Sequence, residues 1–241
     1  MKRLLCSMLT SLALVLPGCD AQQPLTAPNT LAPQNTAAAS QQRSDALPAP
    51  PKDAVASLAR NFYFVLDGSG SMRDACSGRQ SRKIDQAKEA VAAFMAVVPT
   101  NANLGLIVFD ARGSREVLPL GANNRQLFLQ AVAAIEADGG TPLNESIIFG
   151  INRLVEQRAK QLNYGEFRMI VVTDGEASDG PVSKCGQHSR KTGIPIYTIG
   201  LCMSGTHALM NYSITYRDAS NKAQLKAALE ETVAESDTAE K

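Results

Sequence analysis

Residues 61–71 read Asn61-Phe-Tyr-Phe-Val-Leu66-Asp67-Gly-Ser-Gly-Ser71. A short apolar run without polar alternation fits a strand covered on both faces, as in a parallel sheet. It stops at an aspartate, followed by hydroxyls at alternate positions on a glycine-bearing loop. Three more runs have the same form. Leu104-Gly-Leu-Ile-Val-Phe109 ends at Asp110, Phe167-Arg-Met-Ile-Val-Val172 ends at Thr173-Asp174-Gly175, and Ile194-Pro-Ile-Tyr-Thr-Ile199 ends at Gly200. Residues 114–118 are expected to form an antiparallel edge strand, and residues 213–216 the opposite edge.

Helical spacing fills the intervals. Ile84, Ala87, Val91, Phe94, Met95 and Val98 recur with a helical period until Pro99 stops them. Leu127, Ala131 and Ile135 mark a second helix, and Leu143, Ile147, Ile151, Leu154 and Val155 a third. Weaker patterns cover residues 181–191 and 222–233. Strands alternating with helices predict an α/β fold: a doubly wound, mostly parallel central sheet flanked by helices. Ligands of such sheets bind beyond the carboxyl ends of the strands, where Asp67 and Asp174 fall.

Three oxygen-rich clusters therefore converge: Asp67, Ser69 and Ser71; Thr141 within Gly140-Thr141-Pro142; and Asp174. Each alone reads as a turn, or, for Thr141-Pro142, as a helix N-cap with proline at the first helical position. Their conjunction is a set of hard oxygen donors without sulfur or imidazole, suited to Mg²⁺ or Mn²⁺ rather than zinc. Gly68 and Gly70 would let the loop wrap closely around an ion.

On these residues the domain resembles a von Willebrand factor A domain, and the clusters match that family's metal-ion-dependent adhesion site. The resemblance runs from about residue 61 to about 235 and meets the pattern at all five positions. It implies that Ser69 and Ser71 bind the metal through their hydroxyls. Thr141 would bind once a ligand is engaged, and Asp67 and Asp174 would act largely through metal-bound water. Neutral hydroxyls leave much of the ion's charge unquenched, and Mg²⁺ wants six oxygens. An open position then favours an acidic residue of a protein partner. Arg73, Asp74, Glu176 and Asp179 on the surrounding loops are candidates for choosing that partner.

The start of the chain reads as an export signal. Met1-Lys2-Arg3 precedes an apolar run over residues 4–16, short of the ~20 residues that span a bilayer. Leu16-Pro17-Gly18-Cys19 resembles a bacterial lipobox, with residues 1–18 as signal peptide and Cys19 as the lipidated residue. Asp20 resembles the signal that holds such lipoproteins in the inner membrane, which places the protein on its periplasmic face if the organism is Gram-negative. Residues 19–51, rich in Ala, Gln, Pro, Asn, Thr and Ser, lack the apolar content to offset ordering entropy and read as a tether. Residues 52–241 form the domain.

Loss of Lys2 and Arg3 with the leader lowers the formal charge from +1 by two, to −1. That balance argues against a nucleic-acid partner. Cys76, Cys185 and Cys202 remain in the domain, towards one end of the sheet, and an oxidising compartment permits a disulfide among them. With no CxxC spacing and only His188 and His207 available, zinc is disfavoured. No enzyme is expected. A haloacid-dehalogenase-like phosphatase needs a second aspartate where Ser69 stands, and no G-x-S-x-G elbow, Walker A lysine or dinucleotide fingerprint is present. A purely structural metal is the alternative to a binding module. Partner identity and oligomeric state are not readable from the chain.

Overall fold

The computed structural model describes residues 58–76, 80–203, 205 and 207–234. The leader, Cys19 and the tether lie outside them. Six strands form one sheet: β1 (Arg60–Asp67), β2 (Asn103–Asp110), β3 (Gly113–Gly121), β4 (Glu166–Thr173), β5 (Ile196–Leu201) and β6 (Thr215–Ala219). The order is β3-β2-β1-β4-β5-β6, with β3 antiparallel to β2 and every other pairing parallel. β1 is central: Phe64 lies opposite Leu106 on one side and Ile170 on the other. The winding reverses between β1 and β4, which opens a crevice at their carboxyl ends.

Among the described residues five α-helices cover the sheet: α1 (Lys83–Phe94), α2 (Arg125–Ala133), α3 (Leu143–Lys160), α4 (Ser183–Thr192) and α5 (Lys222–Ala234). Successive side chains of β1 point to opposite faces. Phe62, Phe64 and Leu66 pack with Val91 and Phe94 of α1, Phe128 of α2 and Leu229 of α5. Tyr63 and Val65 pack with Ile147 and Ile151 of α3 and Cys185 of α4. Both layers are dry, which explains why the strand reads as a continuous apolar run.

One contact sets how closely α3 lies on the sheet. The Tyr63 ring sits between Gly105 and Gly150, where an added Cβ would come within 2.5 Å and 2.6 Å of the ring, respectively. Two glycines in different elements thus make room for one buried tyrosine, whose hydroxyl donates to Glu116 at 2.9 Å.

The elements depart from the expected bounds in instructive ways. β5 begins at Ile196 rather than Ile194, because Pro195 has no N–H to offer and contributes only its carbonyl, which accepts from Met169. β6 runs later than expected and pairs parallel to β5. In α2 the buried stripe is Phe128 and Val132, while Leu127 is 57 % exposed. The expected phase through Leu127 and Ala131 is off by one position, since the larger Phe128 takes the inward place against Phe64.

Candidate functional site

β1 delivers Asp67 to the crevice as its last residue, 1 % exposed. One carboxylate oxygen accepts the Ser69 N–H at 2.8 Å, and the other accepts the Thr173 hydroxyl at 2.6 Å. Thr173 is the last residue of β4, so the neighbouring strand orients this carboxylate. The chain then turns through a single 3-10 turn, Gly70–Arg73, which carries Ser71. The Ser69 and Ser71 hydroxyl oxygens lie 3.2 Å apart. Ser71 donates to Asp174 Oδ1 at 2.8 Å, and Asp174 Oδ2 accepts from Lys83 Nζ at 2.7 Å.

The second loop is stitched to the first and the third. Gly70 N–H donates to the Gly139 carbonyl at 3.0 Å, and Asp138 N–H to the Gly68 carbonyl at 2.8 Å. Thr141 and Ser178 exchange two bonds: Thr141 N–H to Ser178 Oγ at 3.0 Å, and Ser178 N–H to the Thr141 carbonyl at 2.8 Å. All three clusters therefore meet at one end of the sheet. The Thr141 hydroxyl, half-buried, makes no hydrogen bond among the described residues.

Thr141 is not the cap of α3. The helix starts at Leu143, with Pro142 before it and no capping side chain at that position. The first N–H groups are instead satisfied from the third loop: Asp179 accepts from Asn144 N–H at 3.1 Å and from Glu145 N–H at 2.8 Å. A loop elsewhere in the chain supplies the cap, and the Thr141 hydroxyl takes no part in it.

Two carboxylates, Asp67 and Asp174, meet here with three hydroxyls. Burial pushes the Asp67 carboxyl above the ordinary carboxylate range; bonds from Ser69 and Thr173 pull against that, and the Asp174 charge adds to it. Two neighbouring carboxylates, one of them already paired with Lys83, are what a hard divalent cation can join, and every donor is oxygen. The residues fit such an ion. Among the described residues no group of three or more His, Cys, Asp or Glu side chains converges to hold a metal, so an ion here would rest on hydroxyls as much as on charge.

Gly68 serves packing rather than wrapping. An added Cβ would lie 2.9 Å from Ile135 Cγ2 and 3.0 Å from both Asp110 Cβ and the Phe109 carbonyl. The loop is pressed against the end of β2, and only glycine fits that approach.

The four surface candidates divide. Arg73 is ion-paired with Asp138 at 2.5 Å, and Asp179 is occupied in capping α3. Asp74 accepts the Lys83 N–H through its backbone. Glu176 stays 61 % exposed, 4.0 Å from His207. Cys76 and Cys202 are disulfide-bonded with Cα atoms 5.6 Å apart, joining the segment after the 3-10 turn to the end of β5. Cys185 is a buried free thiol in the first turn of α4, pushed up to about 12 by burial. Sequence reasoning missed Lys83 as a part of the site, for which no signal was present; Thr173 stood in the third cluster but was given no role of its own.

The chain matches the family model described as von Willebrand factor type A domain over residues 61–233. It is 27 % identical over 133 residues to inter-alpha-trypsin inhibitor heavy chain H4 of Homo sapiens, a match covering 53 % of this chain and 14 % of that protein. The chain thus spans a small part of the length of that relative. In fold it is similar to a von Willebrand factor type A protein from Catenulispora acidiphila, with TM-score 0.60 and 20 % identity, covering 73 % of this chain and 42 % of that one. It is also similar to the pilus adhesin SpaC from Lactobacillus rhamnosus GG, with TM-score 0.56 and 15 % identity, covering 74 % and 30 %.

Proposed function

The chain belongs to the von Willebrand factor type A domain family, and from that premise we propose that it is a divalent-metal-dependent protein-recognition module, held to a membrane of the cell envelope by a lipidated Cys19. The observation that carries the reading is the meeting of Asp67, Ser69, Ser71, Thr141 and Asp174 at the switch point of the sheet. Ser69, Ser71 and the unengaged Thr141 hydroxyl would hold Mg²⁺ or Mn²⁺, with Asp67 and Asp174 behind them. When bound, the ion would offer an open position to a carboxylate from outside. Thr173 and the Ser69 N–H keep the Asp67 carboxylate oriented for this task. The likeness in fold to a pilus adhesin agrees with recognition and with an envelope location.

Two features favour binding over the alternatives. The loops are already joined by backbone bonds and, beside them, by the Cys76–Cys202 disulfide, so a metal would not be alone in holding them together. A phosphatase-like mechanism would need an accessible nucleophile, whereas both oxygens of Asp67 accept hydrogen bonds and the residue is 1 % exposed. Asp67 is therefore poorly placed to act as such a nucleophile. Residues 52–241 would present the site and residues 19–51 would act as the tether, with a reach of roughly 30 Å.

Co-purification from envelope extract tests the function. The full chain should retain a protein in Mg²⁺, release it in EDTA, and fail to retain it as Ser69→Ala while keeping its circular dichroism spectrum. Retention that ignores both EDTA and Ser69→Ala would refute metal-dependent recognition.

A further inference from the structure

The crevice holds a cation belonging to the chain itself. Lys83 is the first residue of α1, and its ammonium reaches Asp174 Oδ2 at 2.7 Å. Its side chain is 14 % exposed and that of Asp174 is fully buried. The first turn of a helix is the unfavourable end of the helix dipole for a positive charge. A lysine ammonium is also strongly hydrated, so withdrawing it from water carries a cost. The contact with Asp174 offsets both. Ser71, which donates to the other oxygen of the same carboxylate, ties this ion pair directly to the first cluster.

We propose that Lys83 is an internal counter-ion that competes with the metal for Asp174, keeping metal affinity low and raising the site's preference for an acidic ligand. The proposal rests on the metal-dependent reading of the site. Asp67 and Asp174 contribute two negative formal charges and Lys83 one positive, leaving −1. A divalent ion brings that to +1, which one incoming carboxylate cancels. Without Lys83 the metal-loaded site would be formally neutral, and a carboxylate would meet a weaker attraction. Metal and acidic ligand then each raise the affinity for the other, as linkage requires. Lys83 acts through Asp174 and is a positioning residue, distinct from the groups that would touch the ion.

Mn²⁺ is the probe, with free ion read by electron paramagnetic resonance on the full chain purified in detergent and stripped with EDTA. Lys83→Met removes the charge and keeps the apolar stem; it should bind Mn²⁺ about tenfold or more tightly than the wild type. Lys83→Arg keeps the charge and should stay within about threefold of the wild type. Acetate should tighten Mn²⁺ binding more in the wild type than in Lys83→Met. Unchanged or weaker Mn²⁺ binding in a folded Lys83→Met protein would overturn the counter-ion role. The metal site itself would still stand if wild-type binding is lost on Asp67→Ala. Mn²⁺ binding absent from both wild type and Lys83→Met would overturn the site and the proposal together.

Discussion

Asp67 and Asp110 occupy the same place in their strands, the last residue of a buried β1 and a buried β2, yet their surroundings give them opposite work. Asp67 is flanked by hydroxyls, a backbone N–H and a second carboxylate, and burial pushes its carboxyl up. Asp110 is also buried, but Arg115 grips both of its oxygens at 2.6 and 2.9 Å, and the Arg112 N–H adds a bond at 2.9 Å. Burial raises the Asp110 carboxyl; those bonds and the Arg115 charge outweigh it and bring it down to about 2. A carboxylate with a lowered value in the folded state stabilises the fold above its unfolded value near 4, and that contribution is lost as pH falls towards 2. Asp110→Asn should therefore lose about 2 kcal/mol at pH 7, with the gap from wild type closing between about pH 4 and 2. Urea midpoints at pH 7, 4 and 2.5 would show it; a gap independent of pH would mean that the ion pair is not its source.

At the scale of elements, the loops of the site are structural parts of the helices beside them. The third loop supplies the N-cap of α3 through Asp179, and the first loop leads into α1 through the Asp74 carbonyl and the Lys83 N–H. A side-chain cap contributes about 1 kcal/mol. Asp179→Ala should therefore lower the melting temperature by about 2–4 °C in a domain of this size. An unchanged melting curve would show that the α3 terminus finds other partners and would return Asp179 to the pool of surface residues that choose a ligand. α2 carries a further lesson. Leu127 and Phe128 are both large and apolar, and which one faces inward depends on what the sheet presents. Phe64 accepts the Phe128 ring, with centroids 4.9 Å apart.

For the whole molecule, the proposed function joins a recognition site to a tether and an anchor. The amino-terminal end of the described domain, at the start of β1, lies at the opposite end of that strand from Asp67. Among the described residues no helix is long and apolar enough to cross a membrane. One acyl chain alone gives marginal, reversible membrane binding, and stable anchoring takes two or more. On the proposed lipid anchoring, Cys19→Ser should move the protein from the membrane fraction to the soluble fraction, read by fractionation and immunoblot. Membrane association that persists in high salt would remove the lipid-anchor reading.

By itself the sequence determined the sheet and named the residues proposed for the site. Apolar runs without alternation specify strands buried on both faces, and where the runs of β1 and β4 stop the chain reaches the crevice. Asp67, Ser69, Ser71 and Asp174 could be named for that reason, since a strand end and the loop after it are local features; Thr141, between α2 and α3, stood out only through its Gly140-Thr141-Pro142 setting. Only the tertiary structure decided the pairing of Cys76 with Cys202, the reach of Lys83 to Asp174, the capping of α3 by Asp179 and the neutralisation of Asp110. It also decided that Phe128 rather than Leu127 turns inward. Apart from Asp110, whose partners are near neighbours, these contacts join residues far apart in the chain. They depend on which loops the strand order brings together, and hydrophobic periodicity reports a face without naming what packs against it. Asp110 illustrates the remaining limit: its arginines were visible nearby in the sequence, but the turn into β3 was needed to aim them at one carboxylate.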